Sequence, residues 1–149
     1  MAVGQTGGLP VDQVTVLQNA IHNSTPVKVM NIMPFDFGTP ISSGMYGPVM
    51  ETAANDTMTQ LSRAPLSALG AKLGITVIIA VNDRSNEVFG LADAQTVTSY
   101  ATANANIARL SFWFVGRDNG TCAGSMQAQA TCSGLAQNQW DFSHVFEAF

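Results

Sequence analysis

Residues 27–38 read Val-Lys-Val-Met-Asn-Ile-Met-Pro-Phe-Asp-Phe-Gly, an apolar run that ends by lifting one carboxylate, Asp36, out of a hydrophobic bed. Near-continuous Val, Ile, Met and Phe is the pattern of a strand buried on both faces, as strands of parallel sheets are. A carboxylate at the C-terminal end of such a strand stands where parallel α/β folds collect their functional groups. Asp36 also suits a turn before Gly38, and the stretch by itself leaves both roles open.

Upstream, Val11, Val14, Leu17, Ala20 and Ile21 recur at helical spacing behind Pro10, which predicts an amphipathic helix ended by residues 22–26. Residues 1–8 are Gly-rich and read as irregular. Downstream, residues 38–44 form a Gly/Pro/Ser loop suited to lying over a site, and a second helix is predicted from Tyr46 to Arg63. A connector over 65–72 with one helical turn leads to Gly74-Ile-Thr-Val-Ile-Ile-Ala-Val81, a second buried strand closed by Asn82 and Asp83. A third helix spans about 91–105, and Ala108 to Val115 is a third strand with Trp113 near its end. The chain closes on a helix over 138–149 with Phe142, Val145, Phe146 and Phe149 on one stripe. The order αβαβαβα implies an α/β fold with parallel strands and right-handed crossovers. Three strands are too few to close a barrel, which takes eight, and no Gly-rich phosphate loop follows any strand.

Length suits one domain over residues 1–149. Charged residues make up only 11%, against about 25% in an ordinary soluble domain. The surface is therefore expected to be rich in hydroxyls and amides, as in secreted proteins. A net charge of −4 with scattered Lys and Arg argues against nucleic acid, and no basic or membrane-directed patch is visible. No apolar run is long enough to span a bilayer. Cys122 and Cys132 lie in a Gly/Ser/Thr-rich loop without a His or a second Cys pair in ligand register, which favours a disulfide over a metal site and implies an oxidising compartment. The Asn-x-Ser/Thr triplets at Asn23, Asn55 and Asn119 are compatible with export. The opening Met-Ala-Val-Gly-Gln-Thr-Gly-Gly reads as no signal peptide. No cofactor and no metal are expected.

Three stretches in register resemble the C-terminal half of a glycoside hydrolase family 18 chitinase of the bacterial chitinase D-like branch. Asn31-Ile-Met-Pro-Phe-Asp-Phe-Gly38 is similar to that family's sixth barrel strand. Gly74 to Asp83, with Glu87-Val-Phe and Leu91-Ala-Asp-Ala-Gln95, resembles the seventh strand and its helix. Leu110-Ser-Phe-Trp-Phe-Val-Gly-Arg-Asp-Asn119 is similar to the eighth strand with its tryptophan, and Gly8-Leu9-Pro10 sits where the fifth helix begins. The resemblance implies a partial (β/α)8 TIM barrel, about the last three and a half βα units, from helix 5 to helix 8.

Carried over, Met33 and Asp36 would lie under the sugar at the cleavage point, with Asp36 as an auxiliary catalytic group, and Trp113 would be the floor on which the ring stacks. Phe35 stands where many members have a tyrosine that holds the N-acetyl group, and Asn82 and Asp83 would add polar contacts on the same rim. Arg117 and Asp118 read as a rim ion pair. The family hydrolyses β-1,4-linked N-acetylglucosamine with retention, the sugar's own N-acetyl oxygen attacking while a glutamate closing an Asp-x-x-Asp-x-Asp-x-Glu motif protonates the leaving oxygen. That motif is absent from this sequence, and no residue here replaces its acid. The expectation is a chitinase portion, inactive alone, from an extracellular parent. Its partners would be chitin or chito-oligosaccharide, and either a missing N-terminal barrel half or a second copy. The alternative is a non-enzymatic, lectin-like module.

Overall fold

The computed structural model describes residues 1–84 and 86–149. Helix α1 (Val11–His22) leads to strand β1 (Val29–Ile32), helix α2 (Tyr46–Leu61) and a 3-10 turn at Leu66–Leu69. Strand β2 (Lys72–Ile78) is followed by the short strands β3 (Ala80–Val81) and β4 (Val88–Phe89). Helix α3 (Leu91–Ala103), strand β5 (Ile107–Trp113), a 3-10 turn at Val115–Arg117 and helix α4 (Asp141–Phe146) complete the chain.

β1, β2 and β5 form one sheet in the order β1-β2-β5, all parallel, with Ile32 opposite Ile75 and Trp113 opposite Ile78. The chain returns to the start of each next strand through a helix, as parallel pairing requires. Met30 and Ile32 on β1, with Leu73, Ile75 and Val77 on β2, share a core with Leu17 of α1, Met50 and Ala53 of α2, Val97 of α3 and Phe142 of α4. Phe112 continues that face on β5, its ring 5.1 Å from Phe146. Side chains alternate along a strand, so the opposite face carries Val29 and Asn31, Gly74 and Thr76, and Arg109 and Ser111. A row of hydrogen bonds crosses this second face, Asn31 Nδ2 donating to Thr76 Oγ1 at 2.8 Å and Thr76 Oγ1 lying 2.8 Å from Ser111 Oγ.

Four expectations about the elements need correction. The first strand is four residues long and does not extend along the whole 27–38 run. Pro34 has no N–H and disfavours continued pairing, so only Met33 extends the edge, through a parallel bridge to Ala2. Residues 1–9 are accordingly not free. Met33 N donates to Met1 O at 2.8 Å, and Gln60 pins the Gly-rich strap by accepting from Leu9 N at 2.6 Å and donating to Gly7 O at 3.1 Å. The second strand does not run straight to Val81, because Ala80 adopts φ 67° and turns β3 away to pair antiparallel with β4. Burial on both faces holds only for the central β2. In β5 only Ile107 is buried, and Val29, Met33 and Trp113 are exposed. The last helix is six residues, with Phe149 exposed beyond it.

Cys122 and Cys132 are disulfide-bonded, Cα to Cα 5.8 Å, and the loop they close packs on the end of the sheet, where Val81 N donates to Ser133 O at 3.2 Å. Of the three Asn-x-Ser/Thr triplets, Asn119 has its amide committed to Gly116 O and Thr131 O at 3.2 and 2.8 Å, and Asn55 accepts from the Tyr100 hydroxyl at 2.9 Å. Asn23 is exposed just after α1. Among the described residues no helix is long and apolar enough to cross a membrane.

Candidate functional site

Parallel strands bring their C-terminal ends to one rim, and ligands of α/β sheets bind there. Met33 follows β1, and continuing the β1–β2 register sets it level with Thr76 on the face without helices. Trp113 ends β5 on that same face, opposite Ile78 and one side-chain step beyond Ser111. Its side chain is 59% exposed and that of Met33 37%. An indole left uncovered at a sheet end is a broad apolar platform.

Asp36 lies three residues beyond Met33 on a turn with two left-handed positions, φ 56° at Asp36 and 76° at Gly38. A non-glycine residue held there is a strained position that its surroundings must enforce. The flanking aromatics do part of this. Phe35 packs against the core, and the Phe37 ring lies 6.0 Å from that of Tyr46. With its neighbours tucked in, Asp36 is left facing solvent.

Below the turn is a buried polar cluster. Glu87 accepts from Gly38 N at 2.7 Å and from the Tyr46 hydroxyl at 2.5 Å. The Asn82 amide stands 3.1 Å from that hydroxyl, and its nitrogen is best turned toward the carbonyls of Ile78 and Ala80 at 2.9 and 3.1 Å. Burial and then the Glu87 carboxylate push the Tyr46 phenol well above its ordinary range. Asn82 is completely buried and belongs to this scaffold, so the expected sugar contact from it is corrected. Phe35 is half-buried, with one side against the core.

Arg117 and Asp118 are not a rim ion pair. Both are buried; the Arg117 guanidinium donates to Val81 O, and burial lowers its pKa while Asp83 opposes that shift. Asp118 instead accepts from Phe142 N, Ser143 N and Ser143 Oγ at 3.0, 2.8 and 2.8 Å, fixing α4 against the end of β5. Asp93 does the same for the loop under the rim, accepting from Gly44 N, Gly47 N and Gly90 N at 2.7, 2.8 and 2.8 Å. Sequence reasoning missed Asp93 and Glu87 as structural carboxylates. Asp93 had a local signal, its place three residues after Gly90 at the start of α3, where a carboxylate reaches back to the N-cap amide, whereas Glu87 had none.

Partial burial, then the Asp83 and Glu87 carboxylates, raise the Asp36 carboxyl above the usual range, while the Arg84 backbone amide and guanidinium pull it down. The folded chain therefore holds this proton more tightly than the unfolded one. The favourable contribution is present at low pH and is lost as pH rises through the folded pKa. Asp36→Asn is expected to gain stability over the wild type at neutral pH, and urea midpoints compared across pH should show the gain shrinking as the solution is acidified below the carboxylate range. Among the described residues no cluster of His, Cys, Asp and Glu could hold a metal ion. The hollows of about 450 Å³ lie elsewhere, one at Asn119, Thr131 and Gln137 and one at Leu91, Gln95 and Val145. Met33, Asp36 and Trp113 are all exposed to solvent.

A parallel α/β sheet with an exposed indole and a carboxylate on its C-terminal rim belongs to the class of folds that bind ligands at strand ends. Comparison narrows the class: the chain is chitinase-like in sequence and in fold. It is 26% identical over 156 residues to a probable bifunctional chitinase/lysozyme of Escherichia coli (strain K12), covering 95% of this chain and 17% of that protein. The catalytic domain of a hyperthermophilic chitinase from Pyrococcus furiosus superposes with a TM-score of 0.78 at 27% identity, over 100% of this chain and 50% of that one. Catalytic-site mutants of active domain 2 of a thermostable chitinase from the same organism, complexed with chito-oligosaccharides, give 0.75 at 26% identity, over 99% and 48%. The chain thus spans about half the length of the solved structures it matches. No family model matches it.

Proposed function

We propose that this chain is the C-terminal portion of a glycoside hydrolase family 18 catalytic barrel of the chitinase D-like branch. It would contribute the sugar-holding wall of a site that hydrolyses β-1,4-N-acetylglucosamine linkages. The observation that carries the reading is the pairing of an exposed Trp113 with the Asp36 turn at one end of a parallel sheet whose second face lacks helices. An indole offers its face to the C–H face of a pyranose, and a carboxylate accepts from the sugar's amide and hydroxyls. In the substrate-assisted route the N-acetyl oxygen displaces the leaving oxygen at the anomeric carbon, and the leaving oxygen takes its proton from an acid outside this chain.

The uncovered face and the outer edge of β5, which pairs with no other described strand, are what the other barrel half or a second copy would cover. The disulfide fits an extracellular parent. A second reading, a chito-oligosaccharide-binding module without turnover, is favoured by the missing acid motif. The binding step common to both is tested by titrating N,N′-diacetylchitobiose into the chain. Trp113→Ala is expected to weaken binding about 10-fold or more, burial of a large apolar side chain being worth roughly 1.5–3 kcal/mol. Equal affinity of variant and wild type would overturn the reading.

A further inference from the structure

We infer that Glu87 is a positioning residue that holds the Asp36 turn in its ligand-facing conformation. Its side chain is completely buried, and its two carboxylate oxygens bridge two separate pieces of chain, the Gly38 amide on one side and the Tyr46 hydroxyl at the start of α2 on the other. The backbone around it grips the same segment. Ile41 N donates to Asn86 O and Val88 N donates to Ile41 O, each at 2.9 Å, so the stretch following the turn is laced to the stretch containing Glu87. Asn82 N donates to Glu87 O at 3.0 Å, which anchors Glu87 in turn to the end of β3.

The chemistry requires such a group. Two left-handed residues within three positions form a turn that relaxes unless something outside it fixes the geometry. An acceptor aimed at the Gly38 amide from below is that fixture, and it acts two residues from the side chain that meets the ligand. The ion pairs among the described residues include none on Glu87, so what compensates its burial is the pair of donors it accepts from. A carboxylate at this position is therefore explained by the turn it holds. Tyr46 keeps the other oxygen in place and supplies the ring on which Phe37 rests.

The part of this inference that concerns saccharide rests on the function proposed above; the part that concerns the turn does not, and the test separates them. Glu87→Gln and Glu87→Ala are made in the whole chain and compared with wild type by amide hydrogen exchange at Gly38, by carbon NMR titration of the Asp36 carboxyl, and by titration with N,N′-diacetylchitobiose. Glu87→Gln keeps an oxygen for Gly38 and removes one of the carboxylates facing Asp36, the others being Asp83 and, with opposite sign, the Arg84 guanidinium. It is expected to preserve Gly38 protection, move the Asp36 titration downward and bind saccharide within about 3-fold of wild type. Glu87→Ala should lose Gly38 protection and bind about 10-fold more weakly, while Phe142 and Ser143 amides on Asp118 stay protected. If Glu87→Ala does not fold, Glu87→Asp decides: its carboxylate is one methylene short of the Gly38 amide, so that amide should exchange faster than in wild type. Unchanged Gly38 exchange in a folded Glu87→Ala, or in Glu87→Asp where Glu87→Ala does not fold, overturns the inference. A wild-type chain that binds no saccharide overturns the proposed function and leaves the Gly38 exchange to judge Glu87.

Discussion

Chito-oligosaccharides incubated with this chain alone are expected to stay intact, because the acid motif that the proposed reaction needs is absent from this sequence. General acid catalysis supplies about 10²–10⁴-fold and requires a donor within reach of the leaving oxygen. Apart from Asp36 and its exposed neighbour Asp83, the carboxylates do not meet that need. Glu87, Asp93 and Asp118 are sealed in hydrogen-bonded clusters, and Glu51 lies on α2 and Glu147 at the end of α4, away from the rim. Asp36 does face the rim and holds its proton above the usual range, but it stands beside Met33 at the strand end, where a ring stacked on Trp113 would rest. Chromatography of a chitotetraose digest measures the outcome. No product is expected, and joining the chain to a segment that carries the acid motif should restore cleavage. Cleavage by the chain alone that vanishes in Asp36→Asn would make Asp36 the donor and contradict this account.

The largest effect on stability is expected from Asp93→Ala. One buried carboxylate satisfies three backbone amides, those of Gly44, Gly47 and Gly90, which join the loop after the Asp36 turn to the first turns of α2 and α3. Gly47 and Gly90 are buried, so removing the acceptor leaves their amides without a partner. Hydrogen bonds to a charged group are worth roughly 1.5–3 kcal/mol each and do not add fully, so a loss of about 3 kcal/mol or more is expected. It should be read as a lowered urea midpoint at constant slope. A change within about 0.5 kcal/mol would place the loop's anchorage elsewhere.

Much of the layout is legible in the residues because it depends on local pattern. Pro10 and the spacing of Val14, Leu17 and Ile21 set α1, and the β-branched run after Lys72 sets β2. The meeting of Met33, Asp36 and Trp113 at one sheet end follows once the strands are parallel. The failures are of another kind. Tyr46, Gly38, Gly44 and Phe142, which bond to Asn82, Glu87, Asp93 and Asp118, lie 24 to 49 residues from them, and apart from Gly90 three residues before Asp93 nothing near these groups in sequence distinguishes a buried, fully bonded polar group from an exposed one. Arg117 and Asp118 look like a pair because they are adjacent, yet each turns to a different distant backbone. The break at Ala80 was hidden because a left-handed alanine inside an apolar run carries no local signal. Exposure of β5 was missed for a related reason: Phe112 and Trp113 are both apolar, but only Phe112 has a helix to pack on.

The account stands on a saccharide-holding rim formed by Trp113, Met33 and the Asp36 turn. The most direct measurement is a crystal structure of the chain soaked with chitotriose. The account predicts one sugar ring lying flat on the Trp113 indole with its polar edge toward the Asp36 carboxylate. Sugar density in the hollow at Asn119, Thr131 and Gln137, with Trp113 bare, would contradict it.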